Sequence, residues 1–208
     1  MSAAPSTARV AIIGGGAVGV SVLYHLARAG WTDCVLFERN ELTAGSTWHA
    51  AGNVPTYSTS AAIMDLQRSS TDLYRGLAEA VDYPMKYHVT GSVRLAHSKE
   101  RMQEFAHVRA MGRAQGLDHE LIGLEEMRAR YPLLETHDLA GGLWDPVDGD
   151  IDPAQLTQAL AKGARQLGAR IVRHCPVTGV DRQNGEWVLE TGEGPVLAEY
   201  VVNAAGYY

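Results

Sequence analysis

The chain has 208 residues, 46% hydrophobic and 20% charged, a balance that fits a globular protein with one sizeable core or one and a half domains. A net charge of −6 and scattered arginines argue against nucleic acid or an anionic membrane as partner, and no segment has the apolar length of a membrane span. Cys34 and Cys175 are too few for a secreted disulfide scaffold and lack metal-ligand spacing, so no metal is expected; residues 1–9 do not read as a signal peptide, and the expected location is cytoplasmic.

Residues 10–13 are a short, mostly β-branched run, which predicts a strand buried on both faces. Gly14, Gly16 and Gly19 follow as G-x-G-x-x-G. In that pattern the first glycine permits the tight turn, the second lets a pyrophosphate approach the backbone, and the third lets helix and strand pack closely. Val18, Val22 and Leu26 then recur every four residues, with Leu23 and Ala27 filling the same face, which predicts a helix that Gly30 ends. Its N-terminus would aim free N–H groups and the positive end of its dipole at the glycines, where an anion would sit. A second strand over 35–37 ends at Glu38, 19 residues after Gly19, near the spacing of the acid that binds a ribose 2′-hydroxyl. A carboxylate there favours an unphosphorylated adenosine ribose. The alternative is an ordinary βαβ unit without a ligand.

Residues 40–56 form a long connection rich in Gly, Ser, Thr and Ala, and structureless loops of that length inside compact folds usually carry function. Trp48 and His49 are its two large side chains; on local composition alone they read as a packing pair with one satisfied imidazole. From Ser60 onward, Ile63, Leu66, Leu73, Leu77 and Val81 predict a helical face. Residues 86–96 hold two alternating runs around Thr90-Gly91, a hairpin or two adjoining strands. Ser98 caps a helix carrying Met102, Phe105 and Met111 that stops near Gly116. Leu121 and Ile122 form a short strand, 124–130 a short helix closed by Tyr131-Pro132, and 141–144 another strand.

Asp152-Pro153-Ala154-Gln155 is a helix start, with Asp152 as N-cap, Pro153 at the first helical position and Gln155 able to reach back. Leu156, Leu160 and Leu167 line one face of that helix and Gly168 stops it. A strand at Ile171 and Val172 follows, then a β-meander over 177–180, 187–190 and 196–198, turning at Asn184-Gly185 and Gly192. Residues 200–206 are again a strand leading into a glycine turn. The fold class is therefore α/β: a Rossmann-like domain of residues 1–56 and 151–208, with a parallel sheet and a β-meander, around an inserted α+β segment of residues 57–150. Residues 10–13, 35–37, 171–172 and 201–204 are expected as parallel strands of one sheet. A strand entering a glycine turn calls for a covering helix, so the chain is expected to be the N-terminal portion of a longer protein.

Ile12-Ile13-Gly14-Gly15-Gly16 through Gly19, Phe37-Glu38-Arg39, Gly45-Ser46-Thr47-Trp48-His49-Ala50-Ala51-Gly52, Asp148-Gly149-Asp150-Ile151-Asp152-Pro153 and Asn203-Ala204-Ala205-Gly206 together resemble the FAD-dependent amine oxidoreductases of the D-amino-acid-oxidase superfamily. Within it the chain most resembles the dimethylglycine and sarcosine dehydrogenase group, over residues 10–208. The glycine motif is shared by many FAD and NAD proteins; the Ser-Thr-Trp-His-Ala-Ala-Gly loop is far more specific. The resemblance implies that His49 is joined covalently to the 8α-methyl of the flavin. It implies that Ala17 and Val18 lie against the pyrophosphate, that Glu38 and Arg39 contact the adenosine, and that Val177 meets the adenine through its backbone. It also implies that Gly45, Ser46, Thr47, Trp48, Ala50, Ala51, Gly52 and Asn53 run along the cofactor. The implied activity is hydride transfer from an N-methyl carbon of a small amino acid to FAD. The resulting iminium hydrolyses to formaldehyde or passes its carbon to a tetrahydrofolate held further along the family's longer chains.

The resemblance identifies no catalytic residue in this portion, which alone is expected to be inactive, and names no electron acceptor. His25, His88, His97, His107, His119, His137 and His174 carry no motif and read as structural or surface residues. One rival reading is a non-catalytic regulatory or binding subunit with the same fold, against which flavin attachment argues. The other is a nicotinamide enzyme, which the loop over 45–53 disfavours.

Overall fold

The computed structural model describes residues 4–207. Residues 1–3 and 208, the two ends of the stretch assigned to nucleotide binding, lie outside the described residues. In chain order the elements are β1 (Thr7–Ile13), α1 (Ala17–Arg28), β2 (Cys34–Glu38), a 3-10 turn (Ser46–His49), β3 (Asn53–Val54), α2 (Ala61–Ala80), β4 (Tyr87–Val89), β5 (Ser92–Ala96), α3 (Lys99–Ala114), β6 (Glu120–Ile122), α4 (Leu124–Arg130), β7 (Gly141–Asp145), β8 (Gly149–Ile151), α5 (Pro153–Gln166), β9 (Arg170–Arg173), β10 (Val177–Gln183), β11 (Glu186–Thr191) and β12 (Gly194–Asn203). They divide into two compact units, one of residues 1–52, 76–86 and 152–208, the other of 53–75 and 87–151. Residues 76–86, which the sequence pattern assigned to the inserted segment, go with the first unit. The reason is bonding to α5: Lys162 Nζ donates to the Asp82 carbonyl and Gln166 Nε2 donates to the Val81 carbonyl at 3.3 Å.

The first unit is built on a six-stranded mixed sheet in the order β10-β11-β12-β1-β2-β9. β12, β1, β2 and β9 run parallel, as expected, with Ile12 opposite both Val202 and Leu36. The last meander strand and the last parallel strand, expected as two, are one ten-residue strand. Residues 194–198 of β12 pair antiparallel with β11 and residues 197–203 pair parallel with β1, so the meander extends the sheet.

Helix α1 buries Gly19, Val20, Leu23, Tyr24 and Ala27, whereas Val18 is 70% exposed. The expected face of Val18, Val22 and Leu26 is thus turned by a residue. Gly19 sets the rotation, because a Cβ there would lie 2.0 Å from the Gly14 carbonyl oxygen and only the bare side of the helix can approach the turn. The Asp152 carboxylate caps α5 by accepting from Ala154 N at 2.8 Å and Gln155 N at 3.0 Å. Gly163 then brings α5 against Tyr24 of α1.

The second unit contains two three-stranded sheets, β3-β8-β4 and β5-β7-β6, both antiparallel. Thr90-Gly91 makes no hairpin, since β4 and β5 belong to different sheets. Gly91 has φ 68°, and a Cβ on it would lie 2.1 Å from the Trp144 ring. Phe105 and Val108 of α3 pack with Met64 of α2 and Leu143 of β7. On α2 the expected Ile63 and Leu66 are 47% and 63% exposed, and Met64 and Thr71 are buried instead. The Thr71 hydroxyl donates to the Arg68 carbonyl of its own helix, so it enters the interior already satisfied. Among the described residues no helix is long and apolar enough to cross a membrane.

Two glycine substitutions separate packing from propensity. Gly163→Val would set its Cβ 2.6 Å from the Tyr24 ring and 2.8 Å from Val81. It is expected to lower stability by about 1–3 kcal/mol in urea titrations. Gly76→Ala, at a helical position with open space around it, is expected to raise stability by about 0.5–1 kcal/mol. Equal midpoints for the two variants would refute this account of the α1–α5 contact.

Candidate nucleotide-binding site

The site begins where β1 meets α1. Gly14 has φ 110°, and a Cβ on it would lie 2.2 Å from the Ala204 carbonyl oxygen. Its N–H donates to the Phe37 carbonyl at 2.9 Å, and Ala204 N donates to the Ile13 carbonyl at 2.8 Å. These bonds gather the ends of β1, β2 and β12 around one turn. Gly16 is the N-cap of α1 and has no side chain to occupy the helix end. Free N–H groups and the helix dipole there favour an anion.

Glu38, at the end of β2, is held by two backbone donors: Oε2 accepts from Gly15 N at 2.6 Å and Oε1 from Asn40 N at 2.7 Å. A carboxylate has about four acceptor positions, so two remain for ribose hydroxyls. The following loop folds back over the glycine turn. Thr43, with φ 72°, donates its N–H to the Gly15 carbonyl at 3.0 Å. The Thr47 hydroxyl accepts from Ala17 N at 3.0 Å. His49 closes the 3-10 turn, its Nδ1 3.2 Å from the Gly45 carbonyl oxygen.

Together these residues line a cleft of about 650 Å³. Of the residues singled out from sequence, the cleft gathers Gly14, Gly16, Ala17 and Val18 from the turn and Glu38 and Arg39 from the strand end. It also gathers Gly45, Ser46, Thr47 and His49 from the loop, and Val177 from β10. Gly19 supports the turn from within α1 rather than facing the cleft. Trp48, Ala50, Ala51 and Gly52 are not on its wall, and Trp48 is 70% exposed. Asn53 is a β3 residue opposite Asp150 of β8. Asn40, Pro176 and Tyr207, not singled out from sequence, also line the cleft. So does Gly15, where a Cβ would lie 2.6 Å from the Leu42 side chain and 2.9 Å from Glu38. The G-x-G-x-x-G pattern treats position 15 as free; the tight seat of Glu38 makes it restrictive.

Among the histidines outside the loop, His119 is of the structural kind allowed for in the sequence reading. His119 is fully buried in the second unit, its Nε2 2.8 Å from Asp145 Oδ2. Thr56 Oγ1 donates to the same oxygen at 2.5 Å, and Thr56 N donates to Asp148 Oδ1 at 2.6 Å. Ser92 Oγ at 2.5 Å and Arg94 at 3.1 Å donate to Asp148 Oδ2. Burial alone would raise the Asp145 pKa, but the bonds from His119 and Thr56 outweigh it and pull it down to about 2. Burial, with the charge of Asp145 nearby, pushes Asp148 up. Sequence spacing carries no signal of this cluster, since its members are up to 92 residues apart.

A glycine turn at the carboxyl ends of parallel strands, an acid ending the second strand and an anion-favouring helix start define a dinucleotide-binding protein. The family model for FAD dependent oxidoreductases (DAO) matches residues 9–208, and the chain belongs to that family. It is 42% identical over 202 residues to the mitochondrial dimethylglycine dehydrogenase of Rattus norvegicus, covering 97% of this chain and 24% of that protein. It is 34% identical over 211 residues to the mitochondrial sarcosine dehydrogenase of Homo sapiens, covering 98% and 23%. It is also 34% identical over 207 residues to the mitochondrial pyruvate dehydrogenase phosphatase regulatory subunit of Mus musculus, covering 99% and 24%. The chain thus spans about a quarter of the length of these curated relatives. The crystal structure of L-proline dehydrogenase from P. horikoshii shares the fold, with a TM-score of 0.90 at 27% identity over 97% of this chain and 53% of that one. The bare glycine turn, the anchored Glu38 and the cleft they border fit the FAD of this family.

Removing the Glu38 carboxylate leaves two backbone donors and the ribose without an acceptor. Glu38→Ala is therefore expected to weaken FAD binding by about 1–3 kcal/mol. The dissociation constant is to be measured by fluorescence titration of apoprotein with FAD, with His49→Ala in the background of both proteins compared, and an unchanged value would refute the assignment. For the buried cluster the expected effect is on pH-dependent stability. Because folding lowers the Asp145 pKa from 3.8, its ionised form stabilises the fold above that value, and the contribution is lost as pH falls towards about 2. Asp148, shifted upward, contributes with the opposite sign. Asp145→Ala is expected to destabilise the fold at neutral pH by about 1–3 kcal/mol for each buried group left without its acceptor, and by less in acid. Stability differences from wild type that do not shrink between pH 5 and pH 2 would contradict this.

Proposed function

We propose that the chain is the FAD-binding portion of an amine oxidoreductase that demethylates an N-methyl amino acid such as dimethylglycine or sarcosine, with FAD held covalently through His49. The observation that carries the proposal is that His49 lines the same cleft as the glycine turn and Glu38. When bound, FAD would supply the acceptor for hydride from the substrate's N-methyl carbon. The chain's own groups bind and orient it. The start of α1 offsets the charge of the pyrophosphate, and Glu38 accepts from the ribose hydroxyls. With His49 Nδ1–H donating to the Gly45 carbonyl, Nε2 keeps its lone pair and is the atom able to form the bond. The 42% identity to a dimethylglycine dehydrogenase supports an N-methylated glycine as substrate. The iminium so formed releases formaldehyde on hydrolysis or passes its carbon to tetrahydrofolate.

A second reading, a regulatory subunit without redox turnover, is supported by the 34% identity to the mouse phosphatase regulatory subunit. The complete purified protein, rather than this FAD-binding portion alone, distinguishes the two by its visible spectrum. Flavin bands that bleach on adding dimethylglycine or sarcosine without oxygen support the enzyme; flavin that stays oxidised supports the subunit.

Attachment is tested by denaturing the protein in acid and examining the precipitate. Yellow flavin is expected to stay with the polypeptide, and a tryptic peptide containing His49 to carry its mass. His49→Ala is expected to bind FAD and release it all on denaturation. A colourless wild-type precipitate, with the flavin in the supernatant, would return His49 to a packing role.

A further inference from the structure

We propose that Thr47 is the positioning residue for covalent attachment at His49, acting through the hydrogen bond from Ala17 N–H to its hydroxyl. The inference rests on the His49 reading above and adds a residue to it.

Thr47 and His49 share one short 3-10 turn, Ser46–His49. In that turn Ser46, Trp48 and His49 are exposed, while Thr47 is half-buried against the start of α1. Its Oγ1 accepts the N–H of Ala17, the first residue of the helix, at 3.0 Å. Gly16 makes room for it, since a Cβ there would lie 3.0 Å from that oxygen. Within the turn and the loop before it, Trp48 N donates to the Thr43 and Gly45 carbonyls and Ala50 N to the Thr47 carbonyl. Thr47 therefore supplies a side-chain link between the turn that carries the imidazole and the anion-binding end of α1, beside the backbone link from Thr43 N to the Gly15 carbonyl. The hydroxyl that accepts from Ala17 still has its own proton to give. Thr47 lines the cleft, so an oxygen of the bound anion is a fitting acceptor. One side chain would then tie helix start, cofactor and attachment turn together, and bond formation depends on how well the reacting atoms are held.

In the attachment step one N–C bond forms at His49 Nε2 and one C–H bond of the 8α-methyl breaks. The methyl proton leaves, and the Nδ1 proton follows once the bond has formed; the ring system would be left two electrons reduced, and dioxygen takes that pair with two protons as hydrogen peroxide. The Gly45 carbonyl, accepting from Nδ1–H, steadies the positive charge that develops on the imidazole. Thr47 takes no part in the electron count; it sets geometry alone.

The test adds FAD to apoprotein and follows both total bound flavin and the acid-stable fraction with time. Thr47→Val removes the acceptor at nearly constant volume and is expected to slow attachment about tenfold to a hundredfold per bound flavin. Thr47→Ser keeps the hydroxyl and is expected to stay within about threefold of wild type. Ala17→Pro removes the donor instead. Proline suits the first helical position, and Gly16, at φ −79° and ψ 179°, already has the extended backbone that a following proline requires. It is expected to slow attachment as Thr47→Val does, with little further loss when the two are combined, and it carries the test if Thr47→Val fails to bind FAD. Wild-type attachment rates in both variants, or an equal loss in Thr47→Ser and Thr47→Val, would overturn the proposal while leaving the His49 reading intact. Wild-type protein with no acid-stable flavin would overturn both.

Discussion

The constraint on which the first unit depends is the close approach of three strand ends around Gly14. There is no room for a Cβ at Gly14, where it would lie 2.2 Å from the Ala204 carbonyl oxygen, nor at Gly19, where it would lie 2.0 Å from the Gly14 carbonyl oxygen. Both contacts are to backbone, which cannot swing aside as a side chain can. The same contacts bring α1 close enough to the sheet for its first turn to open onto the cleft. A fold relaxed by even a methyl group here would lose its tight strand–helix turn and, with it, the bare helix end.

Glu38 shows how a charged ligand group is kept ready in such a turn. Its two oxygens accept from Gly15 and Asn40, so the carboxylate is satisfied by the chain itself. A nucleotide adds hydroxyl donors to a group already fixed in position, and little side-chain entropy remains to be lost on binding. Gly15 belongs to this device as much as Glu38 does, because a side chain there would strike Glu38 and Leu42.

Much of the nucleotide-binding unit was legible because its signals are local. The buried runs of β1 and β2, the glycine turn and the Asp152-Pro153 cap each lie within a few residues, and each forms as its pattern indicates. What escaped the pattern depended on the third dimension. The rotation of α1 follows from Gly19 meeting Gly14, not from the spacing of valines. The face of α2 includes Thr71, which periodicity counts as polar although its hydroxyl is satisfied within the helix. The loop over 45–53 was legible as one run of small residues, yet its turns send Thr47 and His49 to the cleft wall and leave Trp48 in solvent. The Thr56–His119–Asp145–Asp148 cluster was not legible at all, since contacts between residues so distant in the chain leave no spacing to detect.

That cluster also bears on how a histidine is to be read. His119 and His49 have the same side chain, and burial separates them. His119 lies in a closed network where its Nε2 has a carboxylate partner and no ligand can reach it. Its place in that network, bonded to Asp145 beside Thr56, is a structural one. His49 is exposed, engages a backbone carbonyl through Nδ1 and lines the open cleft. A nucleophile needs that combination: one nitrogen engaged to set the tautomer and hold the ring, and the other accessible with its lone pair intact. Of the two, His49 fits these conditions better, which supports the proposed attachment at the loop residue and a structural role for the buried one.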